Sequence, residues 1–441
     1  MPAPDNTSYL GLDFGTSALR ACLIDAGQEI IVEDREPLPA PERRDNRIRQ
    51  SATLWWLALE RLLDRLHSHP ACRHLRAIAV DGTAGSLLLS EADGTPLDDA
   101  WMYNDSSAID QLDRLRELAP AGHVCQSASS GLAKLMAQTL LDSQQQARYA
   151  LHQSDWIAGR LAGHYGFSDE NNALKLGYDP QARRWPDWVG RLVNPVLLPE
   201  VQPPGTPVAG LSAELAGRWR LPADTRIVTG TTDSTASVIA TGIREPGEAV
   251  TVLGSTLVIK VLSERSVNDS RYGVYSHRLG DLWLAGGASN TGGAVLTRFF
   301  SLEQLSAMTA RLDPEHPTGL DYYPLPGTGE RFPVNDPRLE PRLSPRPAED
   351  VTFFQGLLEG MAGIEHQGYR LLHALGAPYP KRVCTAGGGA NNAAWMEIRR
   401  TLLGVPVTIA AHQEAAYGSA LLALKGLSGK SSQTPSRSAG L

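Results

Sequence analysis

Tyr9-Leu-Gly-Leu-Asp-Phe-Gly-Thr-Ser-Ala-Leu-Arg-Ala-Cys-Leu-Ile24 is the stretch around which the rest of the chain is organised. Tyr9 to Phe14 alternates into a short buried strand, Gly15-Thr16-Ser17 supplies a turn, and Leu19 to Asp25 returns as a second strand. The tip of this hairpin sets a carboxylate, Asp13, near a glycine that admits close backbone approach and two hydroxyls beside turn N–H groups. Such a tip can hold a phosphate chain and its Mg²⁺. The same residues also suit an ordinary hairpin with polar turn residues. A second copy of the plan weighs towards phosphate: Ala249-Val-Thr-Val-Leu-Gly-Ser-Thr-Leu-Val-Ile-Lys-Val261 again runs strand, turn (Gly254, Ser255, Thr256), strand. Two such hairpins in one chain predict two similar lobes closing on one nucleotide.

Bulk properties bound the remaining choices. With 441 residues, 42% hydrophobic and 20% charged, the chain has the composition of a globular protein with two large domains. A net charge of −7 leaves no footprint for nucleic acid, and the basic cluster Arg43-Arg44-Asp45-Asn46-Arg47, broken by an acid, reads as a solvated loop. Cys22, Cys72, Cys125 and Cys384 are far apart, without C-x-x-C or clustered His, as expected of reduced cytoplasmic thiols. The first residues lack the basic and apolar regions of a signal peptide, and no apolar run is long enough to span a bilayer. The expectation is a cytoplasmic protein with no nucleic acid or membrane partner, monomeric or homodimeric.

Further along, Gln28–Glu36 extends the hairpin as a third strand, Ser51–His67 has one apolar face of a helix, and Leu75–Asp81 reads as a buried strand ending in Asp81-Gly-Thr-Ala-Gly85. Ser86–Glu91 and the Asp93-Gly94 turn predict another hairpin. Strands, a helix and a further strand ending in a functional loop fit an α/β lobe of the ribonuclease-H type. The region from Ile109 to Leu198 is helix-rich and includes the polar run Ser168-Asp-Glu-Asn-Asn-Ala-Leu-Lys175, a natural source of substrate contacts. A strand at Thr225–Thr229 leads through Gly230-Thr-Thr-Asp-Ser234 into a small-residue helix. Later elements are a strand at Leu282–Gly286, a loop-rich stretch Pro314–Pro347, and helices at Phe354–Leu375, Ala393–Leu403 and Glu414–Lys425. The expected domains are 1–243 and 244–425, with a disordered tail at 426–441.

No G-x-x-x-x-G-K-[ST] and no G-x-G-x-x-G after a strand occur, so a nucleotide must be held in another way. Gly387-Gly388-Gly389, between the Lys381–Thr385 strand and a helix, lets backbone approach a ligand, with Asn392 and Trp395 as an amide and an indole face for a purine. A plain tight turn fits the glycines equally well. Asp233, at a helix start where the dipole keeps a carboxylate ionised, is the candidate base; capping is the alternative there, and the same doubt attaches to Asp81.

Taken in order, Asp13-Phe-Gly-Thr-Ser17, Gly230-Thr-Thr-Asp233, Leu253-Gly-Ser-Thr256, Gly329-Glu-Arg-Phe-Pro333, Glu359-Gly360 and Ala386-Gly-Gly-Gly-Ala390 with Trp395 resemble the FGGY carbohydrate kinases from about Tyr9 to Leu424. The resemblance implies an α/β fold of two ribonuclease-H-like, actin-like ATPase domains flanking an ATP cleft. It implies ATP and Mg²⁺ as cofactors, and a small-molecule ketose as partner. By the same resemblance Asp13 and Asp233 serve the metal, Thr16, Ser17 and Ser255 lie by the phosphates, Gly388, Gly389, Asn392 and Trp395 shape the adenosine pocket, and Asp233 deprotonates the attacking sugar hydroxyl. Candidate sugar contacts are Asp13, Asp81, Thr83, Asn104, Asp105, Lys134 and Asp233.

The larger xylulokinases carry Gly-Gln-Met-His-Gly where this chain has Asp81-Gly-Thr-Ala-Gly85. That departure, the short chain, Leu174-Lys-Leu-Gly-Tyr178 and Gly273-Val-Tyr-Ser-His277 resemble the compact cyanobacterial and plant members that act on D-ribulose. D-Ribulose is therefore the expected acceptor. D-Xylulose, another ketose or polyol, and an actin-like ATPase without a sugar pocket are the alternatives.

Overall fold

The computed structural model describes residues 6–428 and divides the chain into two units, one of residues up to Ala240 together with those from Glu414 onward, the other of Thr241–Gln413. Six helices recur below: α1 (Ala52–Leu66), α2 (Gly131–Leu141), α3 (Asp233–Ala240), α4 (Asp350–Ala374), α5 (Ala393–Leu403) and α6 (Ala415–Ser428).

The first unit is built on strands β1 (Ser8–Phe14), β2 (Ala18–Asp25), β3 (Ile30–Pro37), β4 (Leu75–Gly82), β5 (Pro207–Gly210) and β6 (Arg226–Val228), in the order β5-β6-β4-β1-β2-β3. β1 and β2 form the expected hairpin, with Asp13 opposite Arg20, and β1 pairs in parallel with β4. Every residue of β1 is buried, because helices cover both faces of the sheet. Leu10, Leu12 and Phe14 pack with Trp55, Leu59, Leu62 and Leu63 of α1, while Tyr9, Cys22, Ile24 and Ala77 pack with Ala416, Ala420 and Ala423 of α6. The α6 backbone rests almost on the sheet: a Cβ on Gly11 would fall 1.9 Å from the Ala416 carbonyl oxygen.

α6 therefore packs in the first unit, although it follows the expected domain boundary at residue 244 in the chain. It also runs to Ser428, so the expected tail begins inside a helix, and residues 429–441 lie outside the described residues. Alternation along the helix cannot say which sheet will cover it.

A second, five-stranded sheet joins Glu42–Arg44, Arg47–Gln50, Ala100–Trp101, Leu87–Ser90 and Tyr149–His152 in that spatial order. The Asp93-Gly94 turn closes, with Glu91 N–H donating to Thr95 O at 2.9 Å, but the hairpin ladder is reduced to a bridge between Ser90 and Pro96. Proline has no N–H to continue it. Leu87–Ser90 pairs along its length with Tyr149–His152 instead.

The second unit repeats the first sheet's plan with β7 (Glu248–Leu253), β8 (Leu257–Ser263), β9 (Tyr275–Leu279), β10 (Leu282–Ser289), β11 (Arg382–Ala386) and β12 (Val407–Ile409), ordered β9-β10-β8-β7-β11-β12. β7 and β8 form the second hairpin, and β7 pairs in parallel with β11. The core gathers Ile259, Val261 and Val383 under Phe353, Leu357 and Met361 of α4 and Ile398 of α5. In both units the hairpin turn and the loop after the neighbouring parallel strand open at the same sheet edge: Asp13 stands opposite Asp81 in one, Val252 opposite Ala386 in the other.

Candidate active site

At the edge of the first unit three carboxylates gather. Asp13 ends β1, Asp81 ends β4 directly opposite it, and a parallel bridge between Gly82 and Thr232 brings the loop carrying Asp233 alongside. Asp13 is held by Arg20 Nη1 at 3.0 Å, and Arg20 Nε lies 3.8 Å from Glu414 at the start of the last helix. Ser419 Oγ of α6 donates to Asp81 Oδ2 at 2.5 Å, while Asp81 Oδ1 is buried without a hydrogen bond of ordinary geometry. Complete burial, then the neighbouring Asp13 carboxylate, pushes the Asp81 pKa well above the carboxylate range, and the Asp233 charge adds to this. Asp13 is also raised by burial, against the pull of its hydrogen bond with Asp81 and of Arg20. Of the pair, Asp81 is pushed further towards its protonated form, while Arg20 favours the charged form of Asp13.

Asp233 begins α3, half-buried, where its Oδ1 accepts the Ser234 N–H at 2.6 Å. At the β1–β2 turn Thr16 is half-buried and Ser17 exposed, and the Gly15 N–H closes the turn on Ala18 O at 3.1 Å.

The candidate sugar contacts separate into two kinds. Lys134 of α2 is fully buried, donates to Gly85 O at 2.7 Å and Met102 O at 2.6 Å, and burial drives its pKa well below normal. Asp105, also fully buried, accepts from Ile48 N–H at 2.6 Å, from Arg49, and from Ser107 N–H and Oγ at 3.0 and 2.7 Å. Thr83 is held to Gln153 Oε1 by its N–H at 3.1 Å and its hydroxyl at 2.8 Å. Lys134 and Thr83 brace the loop around Asp81–Gly85, and Asp105 ties the Arg47–Gln50 strand to Ser107. Asn104 differs: its side-chain oxygen is buried and unbonded.

In the second unit the β7–β8 turn is gripped from below by the short helix Gly293–Leu296, whose Gly293 and Ala294 N–H groups donate to Gly254 O at 2.8 Å and Ser255 O at 3.1 Å. Ser255 itself is exposed. The glycine turn after β11 packs on that hairpin: Gly387 has φ +87°, and a Cβ there would meet the Leu253 carbonyl oxygen at 2.6 Å. Gly388 faces open space, whereas a Cβ on Gly389 would strike Trp395 at 2.6 Å. Trp395 is only 3% exposed, so it supports the glycine turn from the core and does not offer an indole face. Asn392 caps α5, accepting the Trp395 N–H at 2.9 Å, and donates to Thr309 Oγ1 at 3.3 Å.

Reading the chain alone missed Arg20, Glu414 and Ser419 around the carboxylates. Arg20 was within reach, since hairpin pairing puts it opposite Asp13; nothing local ties residues 414 and 419 to residue 81.

Comparison with known proteins shows the family of the chain. The models of the FGGY family of carbohydrate kinases match residues 8–240 (N-terminal domain) and 249–427 (C-terminal domain). The chain belongs to the FGGY family of carbohydrate kinases. It is 24% identical to the xylulose kinase of Escherichia coli K12, over 90% of this chain and 85% of that one. It is 28% identical to the xylulose kinase of Streptomyces coelicolor, over 99% and 92%. Among solved structures, a xyloylose kinase from Brucella ovis superposes with a TM-score of 0.87 at 23% identity, covering 96% of this chain and 91% of that one. This FGGY kinase therefore has the family's two-domain, actin-like ATPase fold, and it is a phosphotransferase that uses an alcohol group of a small-molecule sugar as acceptor. Kinases of this family use ATP, typically with Mg²⁺. No helix among the described residues is long and apolar enough to cross a membrane.

Proposed function

We propose that this FGGY kinase transfers the γ-phosphoryl group of ATP to the terminal hydroxyl of a ketopentose, D-ribulose, giving D-ribulose 5-phosphate in the cytoplasm. The observation that carries the reading is the meeting of Asp13, Asp81 and Asp233 at one sheet edge. Asp233, at the N-terminus of α3, takes the proton of the attacking hydroxyl; general-base action of this kind is worth about 10²–10⁴-fold. Asp81, buried beside Asp13, holds that carboxylate in place, and Asn104 supplies a buried acceptor for a sugar hydroxyl.

The oxygen donors fit Mg²⁺. Mg²⁺ keeps waters and phosphate oxygens and takes only one or two carboxylates from a protein. Asp13 is the first of these and Asp233 the second. When bound, Mg²⁺ neutralises charge on the phosphates. Thr16, Ser17 and Ser255 lie on the phosphate side, and the open face of Gly388, with Gly389, Asn392 and Trp395 behind it, takes the adenosine. Positioning and charge neutralisation supply most of the remaining acceleration.

D-Ribulose is preferred because Asp81-Gly-Thr-Ala-Gly85 replaces the Gly-Gln-Met-His-Gly of the larger xylulokinases. The names of the relatives favour D-xylulose, the C3 epimer, and this is the second reading. ADP release measured with a panel of ketoses separates the two. The highest kcat/KM is expected with D-ribulose; a higher value with D-xylulose reverses the choice, and ATP hydrolysis equal with and without any sugar removes both.

A further inference from the structure

The glycine turn and the phosphate hairpin of the second unit stand on a buried ion pair that no step above uses. Arg399, in the second half of α5, and Glu365, in α4, are both fully buried. Arg399 Nε and Nη2 donate to Glu365 Oε2 and Oε1 at 2.6 and 2.8 Å, a two-pronged pairing that fixes the plane of the guanidinium. Nη1 donates to Thr385 Oγ1 at 2.8 Å and reaches Met396 Sδ at 3.2 Å. Thr251 Oγ1 donates to Glu365 Oε1 at 2.5 Å and lies 2.8 Å from the Tyr369 hydroxyl. Thr251 and Thr385 face each other across the β7–β11 ladder. One strand runs on from there to the Gly254–Ser255 turn, the other to Gly387.

Such a pair is a poor device for stability alone. Desolvating two charges costs several kcal/mol each, and well-packed apolar residues of similar volume are often neutral or stabilising in their place. What the pair does uniquely is tie two helices and two strand ends to one rigid planar group. The loops above have no slack: a methyl on Gly387 would reach Leu253 O at 2.6 Å, and one on Gly389 would reach Leu253 Cβ at 2.7 Å. A shift of either strand end therefore moves both loops.

We propose that Arg399, acting through Glu365, Thr251 and Thr385, is a positioning residue for the phosphoryl donor, setting the spacing between the Gly254–Ser255 turn and the Gly387–Gly389 turn. This rests on the assignment of the nucleotide to those loops. The test is steady-state kinetics on the full chain with D-ribulose and, in parallel, D-xylulose as acceptor. It uses the apolar double variant Glu365→Leu/Arg399→Met, the double variant Thr251→Val/Thr385→Val, and Gly388→Val as a direct obstruction of the nucleotide face. Both double variants are expected to raise KM for ATP about tenfold or more while KM for the ketose stays within about twofold, and Gly388→Val to raise KM for ATP as well. A purely structural role would lower the melting temperature and leave the two KM values in proportion. If the ion-pair variant does not fold, the threonine variant decides. An unchanged KM for ATP in folded double variants, with Gly388→Val impaired, overturns the positioning role and leaves the nucleotide assignment standing. An unchanged KM in Gly388→Val as well shows that the nucleotide lies elsewhere and overturns both.

Discussion

Asp233 and Asp81 are both carboxylates at one sheet edge, in different surroundings. Asp233 is half-buried at a helix start and is the proposed base, so Asp233→Asn is expected to lower sugar-dependent turnover about 10²–10⁴-fold. ATP binding, followed by calorimetry, is expected to be retained; undiminished turnover would rule the base out. Asp81 is fully buried against Asp13, and burial raises its pKa well above the ordinary carboxylate value. An acid whose folded pKa is raised holds its proton more tightly folded than unfolded. Between the ordinary carboxylate value and the raised one, each step up in pH therefore removes stability. Asp81→Asn is neutral throughout, so in metal-free buffer the variant is expected to gain on the parent in melting temperature as pH rises through that window. A constant difference across the range would show that Asp81 is ionised.

Among the elements, α6 lies directly on the sheet of the first unit, where Gly11 has no side chain. Gly11→Ala would place a methyl 1.9 Å from the Ala416 carbonyl oxygen, against backbone that cannot turn aside as a side chain could. Overpacking of this kind costs about 1–3 kcal/mol, and here the upper end is expected in urea unfolding. The shift should also disturb the Ser419–Asp81 hydrogen bond, so turnover is expected to fall further than the lost stability explains. The same logic explains the loop contacts. Lys134 and Asp105 carry the charges that sugar recognition suggests, yet both are turned inward to buried backbone groups that need partners, Lys134 to the Gly85 and Met102 carbonyls and Asp105 to the Ile48 N–H.

At the level of the whole molecule, the chain leaves the first unit, builds the second, and returns to finish the first. Ending the chain at Gln413 would uncover Tyr9, Cys22, Ile24, Ala77 and Val228, which pack against α6. Losing burial of several such side chains, at roughly 1.5–3 kcal/mol for each large one, is expected to lower the melting temperature of the first unit by on the order of 10 °C. Limited proteolysis should then cleave the first unit well before the second. Equal resistance of the two would show that α6 is dispensable.

Both hairpins, the parallel strands beside them and the helix Ala393–Leu403 could be read from the chain alone, because alternation, helical spacing and turn chemistry are set by near neighbours. The family motifs were legible for the same reason, since each is a short run. What folding alone decided is which distant residues meet. Arg399 and Arg400 are identical neighbours in sequence, yet one is fully buried on Glu365 and the other exposed beside Glu397. Likewise Ser419 reaches Asp81 only because the last helix returns to the first sheet. A local pattern specifies what a segment becomes; its partner depends on which surfaces remain uncovered once the whole chain has packed.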